Sequence, residues 1–219
     1  MNTPDSSNEP ELSETIAVYD QIAAAFAARW GSLRLDRALD TFAQAVPNPR
    51  RVLDLGCGPG RDMGFLTELG CQVTGLDASA GMVSEARHVL PNAVLVQANL
   101  RLPPFAAGSF DGVWACASLV HLPHTALPHA LVTISQLLRW PGGVLYLALK
   151  GGTGEQWVAH AENRRLFFAY YQLSEIETVL DQAGFQVLES WSAPDLSGRR
   201  QPWVNVVAAL SVAGQSVGL

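Results

Sequence analysis

Apolar positions near the start of the chain recur at helical spacing. Ile16, Tyr19, Ala23, Phe26 and Trp30 fall on one helix face, and Leu35, Ala38, Leu39, Phe42 and Val46 on another. Gly31-Ser32 separates the two helices, and Pro47-Asn48-Pro49 ends the second, because proline lacks the N–H a helix needs and extends the residue before it. From Arg51 the pattern changes. Val52-Leu53-Asp54-Leu55 is a short apolar run that enters the turn Gly56-Cys57-Gly58-Pro59-Gly60. A helical segment with Phe65, Leu66 and Leu69 follows, closed by Gly70. Gln72 to Asp77 reads as a second strand, and Ser79 as the N-cap of a helix through Met82, Val83 and Ala86. Ala93 to Gln97 and Asp111 to Cys116 read as further strands. Thr125 to Arg139 reads as a helix stopped at Pro141-Gly142-Gly143, and Val144 to Leu149 as a fifth strand.

Clean periodicity is lost after Lys150, so residues 151–172 read as an insert. Ser174-Glu175-Ile176-Glu177 has the form of a capping box and opens a helix with Ile176, Val179, Leu180 and Ala183 inward, stopped by Gly184. Phe185 to Trp191 and Trp203 to Leu210 read as two last strands. The short polar link Ser192 to Gln201 suits a hairpin, which makes the final strand antiparallel. Apolar strands alternating with helices predict an α/β fold, a mostly parallel sheet covered on both faces. Residues 1–14 are expected to be a flexible tail. Residues 15–212 are expected to form a single domain, with 15–46 as a helical cap.

Composition narrows the function. The chain has 219 residues, 48% hydrophobic and only 16% charged, which excludes disorder as the dominant state. Fourteen basic against 20 acidic residues leave a net charge of −6, with no Lys/Arg run, so no nucleic-acid partner is expected. The long uncharged stretch Gly112 to Leu138 is interrupted by three histidines and by Pro123 and Pro128, so no membrane span is expected. Met1 to Glu14 lacks the apolar core of a secretory signal. Cys57, Cys71 and Cys116 are odd in number and form no C-x-x-C, which fits neither a disulfide framework nor a zinc site. A reducing cytoplasm is the expected location. No metal site is expected at His121, His124 and His129, since prolines break any shared helix face and no carboxylate lies between them.

The chemistry is concentrated in the glycine turn. A strand that runs into Gly56, Gly58 and Gly60 and then into a helix lets backbone approach a ligand closely. The first βα crevice of an open α/β sheet is where nucleotides bind. Asp77, about 20 residues on at the end of the second strand, can accept from both ribose hydroxyls. A dinucleotide site would carry G-x-G-x-x-G, whereas here the third glycine comes one residue early and Arg61 takes the last place. Asp54, just before the turn, would repel a pyrophosphate and suits a ligand with an ammonium group.

On these residues the chain resembles the class I S-adenosylmethionine-dependent methyltransferases, in particular their small-molecule branch. Val52 to Gly60 is similar to the family's first motif and Gly75-Leu76-Asp77-Ala78-Ser79 to its second. Gln97 to Pro103 and Phe110 to Ala115 resemble its third- and fourth-strand motifs, and Leu137 to Gly143 its link into the fifth strand. The resemblance implies a Rossmann-like, seven-stranded sheet with an antiparallel last strand, and S-adenosylmethionine as cofactor. It implies that Asp54 orients the methionyl ammonium and that Gly56, Cys57, Gly58 and Gly60 form the loop lining the methionine and ribose. It implies that Asp77 holds the ribose, that Ala78 and Met82 pack on the adenine, and that Asn99 and Leu100 flank it. Ala115 would lie under the methionyl chain, and Tyr19 would close over the cofactor. Asn99 departs from the more usual aspartate, though its side-chain oxygen can still accept from an adenine amino group.

The implied reaction is methyl transfer to a small-molecule O, N, S or C nucleophile by in-line displacement, releasing S-adenosylhomocysteine. Proximity and orientation supply much of such catalysis, so a general base is optional; His121, after the fourth strand, is the candidate. The run Ala115-Cys116-Ala117-Ser118 lacks the Asn/Asp-Pro-Pro-Tyr/Phe tetrapeptide of the family's enzymes for DNA-base or glutamine amino groups. Within residues 151–172, Trp157, Arg164, Arg165 and Tyr170 are candidates for holding a planar or carboxylated acceptor, while Arg199 and Arg200 in the last hairpin either reach the site or lie on the surface. Alternatives are a methyltransferase acting on a protein or tRNA, a non-catalytic S-adenosylmethionine-binding regulator or subunit, and a nicotinamide-dependent oxidoreductase. Either a monomer or a homodimer is compatible with the sequence.

Overall fold

The computed structural model describes residues 10–160, 164–196, 198 and 200–211. Helices α1 (Pro10–Trp30) and α2 (Asp36–Ala45) precede β1 (Arg51–Leu55), α3 (Arg61–Glu68), β2 (Gln72–Asp77), α4 (Ala80–Val89), β3 (Val94–Gln97) and β4 (Gly112–Cys116). A single 3-10 turn at Leu119–His121 leads to α5 (Leu127–Leu137) and β5 (Val144–Gly151). The chain closes with β6 (Glu155–His160), β7 (Arg164–Tyr171), α6 (Leu173–Gln182), β8 (Phe185–Ala193) and β9 (Trp203–Leu210).

Strands β3, β2, β1, β4 and β5 lie side by side, all parallel. The last strand, β9, runs antiparallel along β5 from Val144↔Ala209 to Lys150↔Trp203, and β8 pairs antiparallel on its other edge. Among the described residues the sheet has nine strands rather than the expected seven. The two extra strands come from the segment read as an aperiodic insert: β6 and β7 form an antiparallel hairpin. β7 joins β5 at Lys150↔Tyr170 and Gly151↔Tyr171, just beyond the point where β4 stops at Cys116↔Ala148. Its last six residues are all buried, so the polar–apolar alternation that marks a half-exposed strand is missing from its sequence.

Strand alternation sorts the core into two layers. Leu53, Leu55, Val113, Ala115, Leu145 and Leu147 pack toward α5 and α6. Val52, Trp114, Val144, Tyr146 and Val207 pack with Leu39 and Phe42 of α2 and Leu66 of α3. Two boundaries differ from the sequence reading. Residues 10–14, assigned to the tail, belong to α1, where Leu12 is buried and Glu14 pairs with Arg165 at 3.0 Å; residues 1–9 lie outside the described residues. The N-cap of α6 is Gln172, whose amide donates to the Glu175 carboxylate at 2.7 Å, so Ser174 is already inside the helix. The tandem choice of acidic residues at 175 and 177 leaves either register open to local sequence, and the end of β7 decides it.

Candidate active site

The turn after β1 is built by close approach. Gly56, Gly58 and Gly60 all have positive φ, at 81°, 53° and 84°. A Cβ on Gly56 would stand 2.3 Å from Ser118 Cβ, so the turns after β1 and β4 touch only because residue 56 has no side chain. The amides of Gly56 and Cys57 both donate to the Leu76 carbonyl, at 2.7 and 2.9 Å, which ties the turn to β2. The Gly58 amide donates to Asp77 Oδ2 at 2.8 Å and the Ser79 amide to Oδ1 at 2.9 Å. Burial raises the Asp77 carboxyl above its ordinary range, and these amides oppose the rise. Ser79 caps α4 as expected, accepting from the Met82 amide at 3.1 Å. The Ser79 hydroxyl donates to Asp20 Oδ1 at 2.6 Å, and that oxygen also accepts from the Gly81 amide, which fastens α1 over the crevice.

Asp54 is buried, and its Oδ2 has no hydrogen-bond partner among the described residues. Burial holds its carboxyl well above the usual range; Asp62 adds to the rise and Arg61 opposes it. The Ser118 hydroxyl is likewise buried and unpartnered. An orphaned buried polar atom costs roughly 1–3 kcal/mol, and more when charged. A positively charged N–H donor is the group that would satisfy both, so the donor set fits the ammonium of S-adenosylmethionine. Next to them, Arg61 forks onto Asp62 with two contacts of 2.7 Å, and the Trp114 indole donates to Asp62 Oδ2 at 2.9 Å.

His121 lies on the opposite wall. Its Nδ1 is 2.7 Å from the Phe167 carbonyl, which can only accept, so Nδ1 carries the proton. Nε2 is therefore an acceptor and takes the Tyr19 hydroxyl at 2.9 Å. Burial lowers the imidazole pKa from 6.5 to about 4, so the ring is neutral at physiological pH. The residue ends the 3-10 turn and is buried between α1 and β7, where the Thr15 hydroxyl accepts from the Phe167 amide at 3.4 Å.

These groups line one cavity of about 520 Å³. Tyr19, Asp54, Gly56, Cys57, Gly58, Asp77, Ala78, Met82, Leu100 and His121, all singled out from sequence, are in its wall. Gly60, Asn99 and Ala115 are not. Gly60 backs onto Ala86 and Leu90 from the N-terminus of α3. Asn99 Oδ1 accepts from the Arg101 amide of its own turn, and Ala115 points from β4 into the α5 layer. The four candidates from the insert also lie outside the wall. Trp157 stacks beneath Arg165, which pairs with Glu14, and Tyr170 accepts from the Gln156 amide at 2.8 Å. Arg164 pairs in register with His160, and from this hairpin it is His160, Leu166 and Phe168 that reach the cavity. Arg200 lies in a separate shallow pocket beside Gly151, and Arg199 lies outside the described residues.

Sequence reasoning missed the cavity's other half: Cys116, Ser118, Tyr146, Lys150, Asp195, Trp203 and Asn205. Lys150 did carry a signal, as a lone charge ending the apolar run of β5. Among the described residues no group of three or more metal-ligating side chains occurs, and no helix is long and apolar enough to cross a membrane.

Comparison with known proteins bears on this geometry. A family described as "Methyltransferase domain" matches residues 52–143. The chain is 31% identical over 180 residues to a ubiquinone biosynthesis O-methyltransferase of Xanthomonas axonopodis pv. citri, covering 74% of this chain and 72% of that protein. It is 39% identical over 111 residues to a malonyl-[acyl-carrier protein] O-methyltransferase of Enterobacter lignolyticus, a match that covers 50% of this chain and only 43% of the relative. A 1,6-didemethyltoxoflavin-N1-methyltransferase of Burkholderia thailandensis, solved with S-adenosylhomocysteine bound, superposes with a TM-score of 0.74 at 19% identity, over 96% of this chain and 93% of that one. On the motif match, the length of the shared alignment and the fold together, the chain belongs to the class I S-adenosylmethionine-dependent methyltransferases.

Proposed function

We propose that this protein transfers the methyl group of S-adenosylmethionine to a small-molecule acceptor held in the same cavity. The observation that carries this reading is the continuity of the cavity. It runs from Asp77 and Met82 at the end of β2, past the orphaned Asp54 carboxylate, to Trp203 and Asn205 on β9, with α1 as its roof. When bound, the cofactor supplies an electrophilic methyl carbon on a positively charged sulfur. Asp54 and Ser118 face its ammonium, Asp77 takes the ribose hydroxyls, and Ala78, Met82 and Leu100 pack against the adenine. Tyr19 and α1 exclude water from the reacting centre. His121, neutral and with Nε2 open to a proton through the Tyr19 hydroxyl, takes the proton of an acceptor that must lose one.

Calorimetric titration with S-adenosylmethionine and S-adenosylhomocysteine, with NAD as control, tests the cofactor site. Both sulfur compounds bind in the micromolar range, NAD does not, and Asp77→Ala weakens the binding by about 50-fold or more, as the loss of charge-assisted hydrogen bonds requires. Failure of both to bind would remove the reading. Release of S-adenosylhomocysteine in the presence of a small-molecule mixture, and none with protein or tRNA, separates the acceptor classes.

A further inference from the structure

The two ends of the cavity differ in how their charges are matched. At the β9 end the floor is one face of the sheet. Register aligns Asp54 and Tyr146 in one row with the core residues Trp114 and Val207, which do not line the cavity, then Cys116, Ala148 and Asn205 in the next row, and Lys150 with Trp203 beyond. Three strand spacings separate β1 from β9, so the floor extends about 14 Å from the cofactor crevice. The middle row is small, which opens a slot over a flat surface. Trp30, Leu33, Leu35 and Leu196 supply apolar walls.

Among the described residues, the Lys, Arg, Asp and Glu side chains of this end lie in pairs, and His160 is the histidine that shares the wall with His121. Arg61 is forked onto Asp62, and Lys150 pairs with Asp195, both of these last two buried. The Lys150 ammonium also lies 4.0 Å from the centre of the Trp203 ring. The Tyr146 hydroxyl donates to Asn205 Oδ1 at 2.7 Å, and the Asn205 amide donates to the Trp203 carbonyl at 3.3 Å. Arg29 stands exposed at the mouth, stacked on Trp30, where water screens it. By contrast Asp54, at the cofactor end, has no ion pair of its own among the described residues.

We propose that the β9 end binds the methyl acceptor and selects an uncharged, flat, largely apolar hydroxy compound. The inference rests on the function proposed above and deepens it. A carboxylate or an ammonium in this slot would be a buried charge that finds no unpaired Lys, Arg, Asp or Glu of this end among the described residues to meet it, which costs several kcal/mol. An alkylamine is protonated and a carboxylic acid ionised near neutral pH, whereas a hydroxyl enters uncharged. The small floor residues admit a ring lying parallel to the sheet, and the apolar walls bury its faces.

Three naphthalenes of one shape test this by titration into protein saturated with S-adenosylhomocysteine. 2-Naphthol binds, and 2-naphthoate and 2-naphthylmethylammonium bind at least about tenfold more weakly. Ala148→Val fills the slot and weakens 2-naphthol by about tenfold or more while S-adenosylhomocysteine binding is unchanged. Asp195→Asn removes the carboxylate charge beside Lys150 and moves the ratio of 2-naphthoate to 2-naphthol affinity at least about tenfold toward the anion. If that variant does not fold, the wild-type series and Ala148→Val still decide. Equal or tighter binding of either charged compound overturns the inference. So does absence of 2-naphthol binding to the loaded protein, or indifference to Ala148→Val. Failure of S-adenosylhomocysteine itself to bind strikes the cofactor reading instead, and this inference falls with it.

Discussion

The two ends of the cavity were made by different means. The cofactor end comes from one stretch of chain, Asp54 to Met82, and works largely through backbone: glycine turns, amides aimed at Asp77 and a helix N-terminus. It leaves one carboxylate unmatched. The proposed acceptor end is assembled from residues spread between Arg61 and Asn205, and its charged side chains are paired with one another. The difference shows how a site's ligand can be read from its unfinished business. An unmatched buried charge calls for a charged ligand, and a matched set calls for a neutral one.

The harshest way to break the cofactor end is Gly56→Val. The new side chain meets Ser118 at an impossible distance and sits at a φ that β-branched residues avoid, so urea denaturation shows a loss of at least about 4 kcal/mol together with loss of S-adenosylhomocysteine binding. His121→Gln acts on turnover rather than on the fold. Single-turnover kinetics show a fall of about 10²- to 10⁴-fold with cofactor affinity nearly unchanged, whereas an equal loss in both would reduce His121 to packing.

Acidity sharpens the same point. His121 is neutral when folded down to about pH 4, while in the unfolded chain it gains its proton near 6.5. The unfolded state therefore binds more protons in that window, so stability is fully present above 6.5 and declines as pH falls toward 4. The decline is about 3 kcal/mol, read as a shift in the urea midpoint that His121→Gln abolishes. The smallest effect belongs to the hairpin's outward face. Arg165→Ala loses an exposed pair with Glu14 and a stack on Trp157, so it costs less than about 1 kcal/mol and leaves the acceptor KM unchanged. A large KM change there would return the hairpin's outer face to the acceptor site.

Much of the fold was legible. The boundaries of β2 coincide with the sequence reading, Ser79 is the cap of α4, Gly184 ends the turn after α6, and the antiparallel last strand follows from its short link. Each is a local matter of turn chemistry or strand length. The hairpin 155–171 was not legible as strands, because β7 is covered by α1 on one side and the 3-10 turn on another, so its sequence lacks alternation. The same burial explains why the insert residues singled out as acceptor candidates, Trp157, Arg164, Arg165 and Tyr170, do not line the cavity. Aromatics and arginines in an aperiodic insert look like a pocket, yet alternation along β7 sends Leu166 and Phe168 toward the cavity and Arg165 away from it.

By itself the sequence determined one half of the cavity, the half proposed to hold the cofactor: a glycine turn, the carboxylate before it and the carboxylate at the end of the next strand are close in the chain, and they meet in one wall. Only the tertiary structure decided the other half, the proposed acceptor site. Cys116, Ala148, Lys150 and Asn205 share one face through strand register, and Lys150 finds Asp195 across a turn some 45 residues away, a pairing that no local pattern encodes because it exists only once β9 has been laid antiparallel against β5.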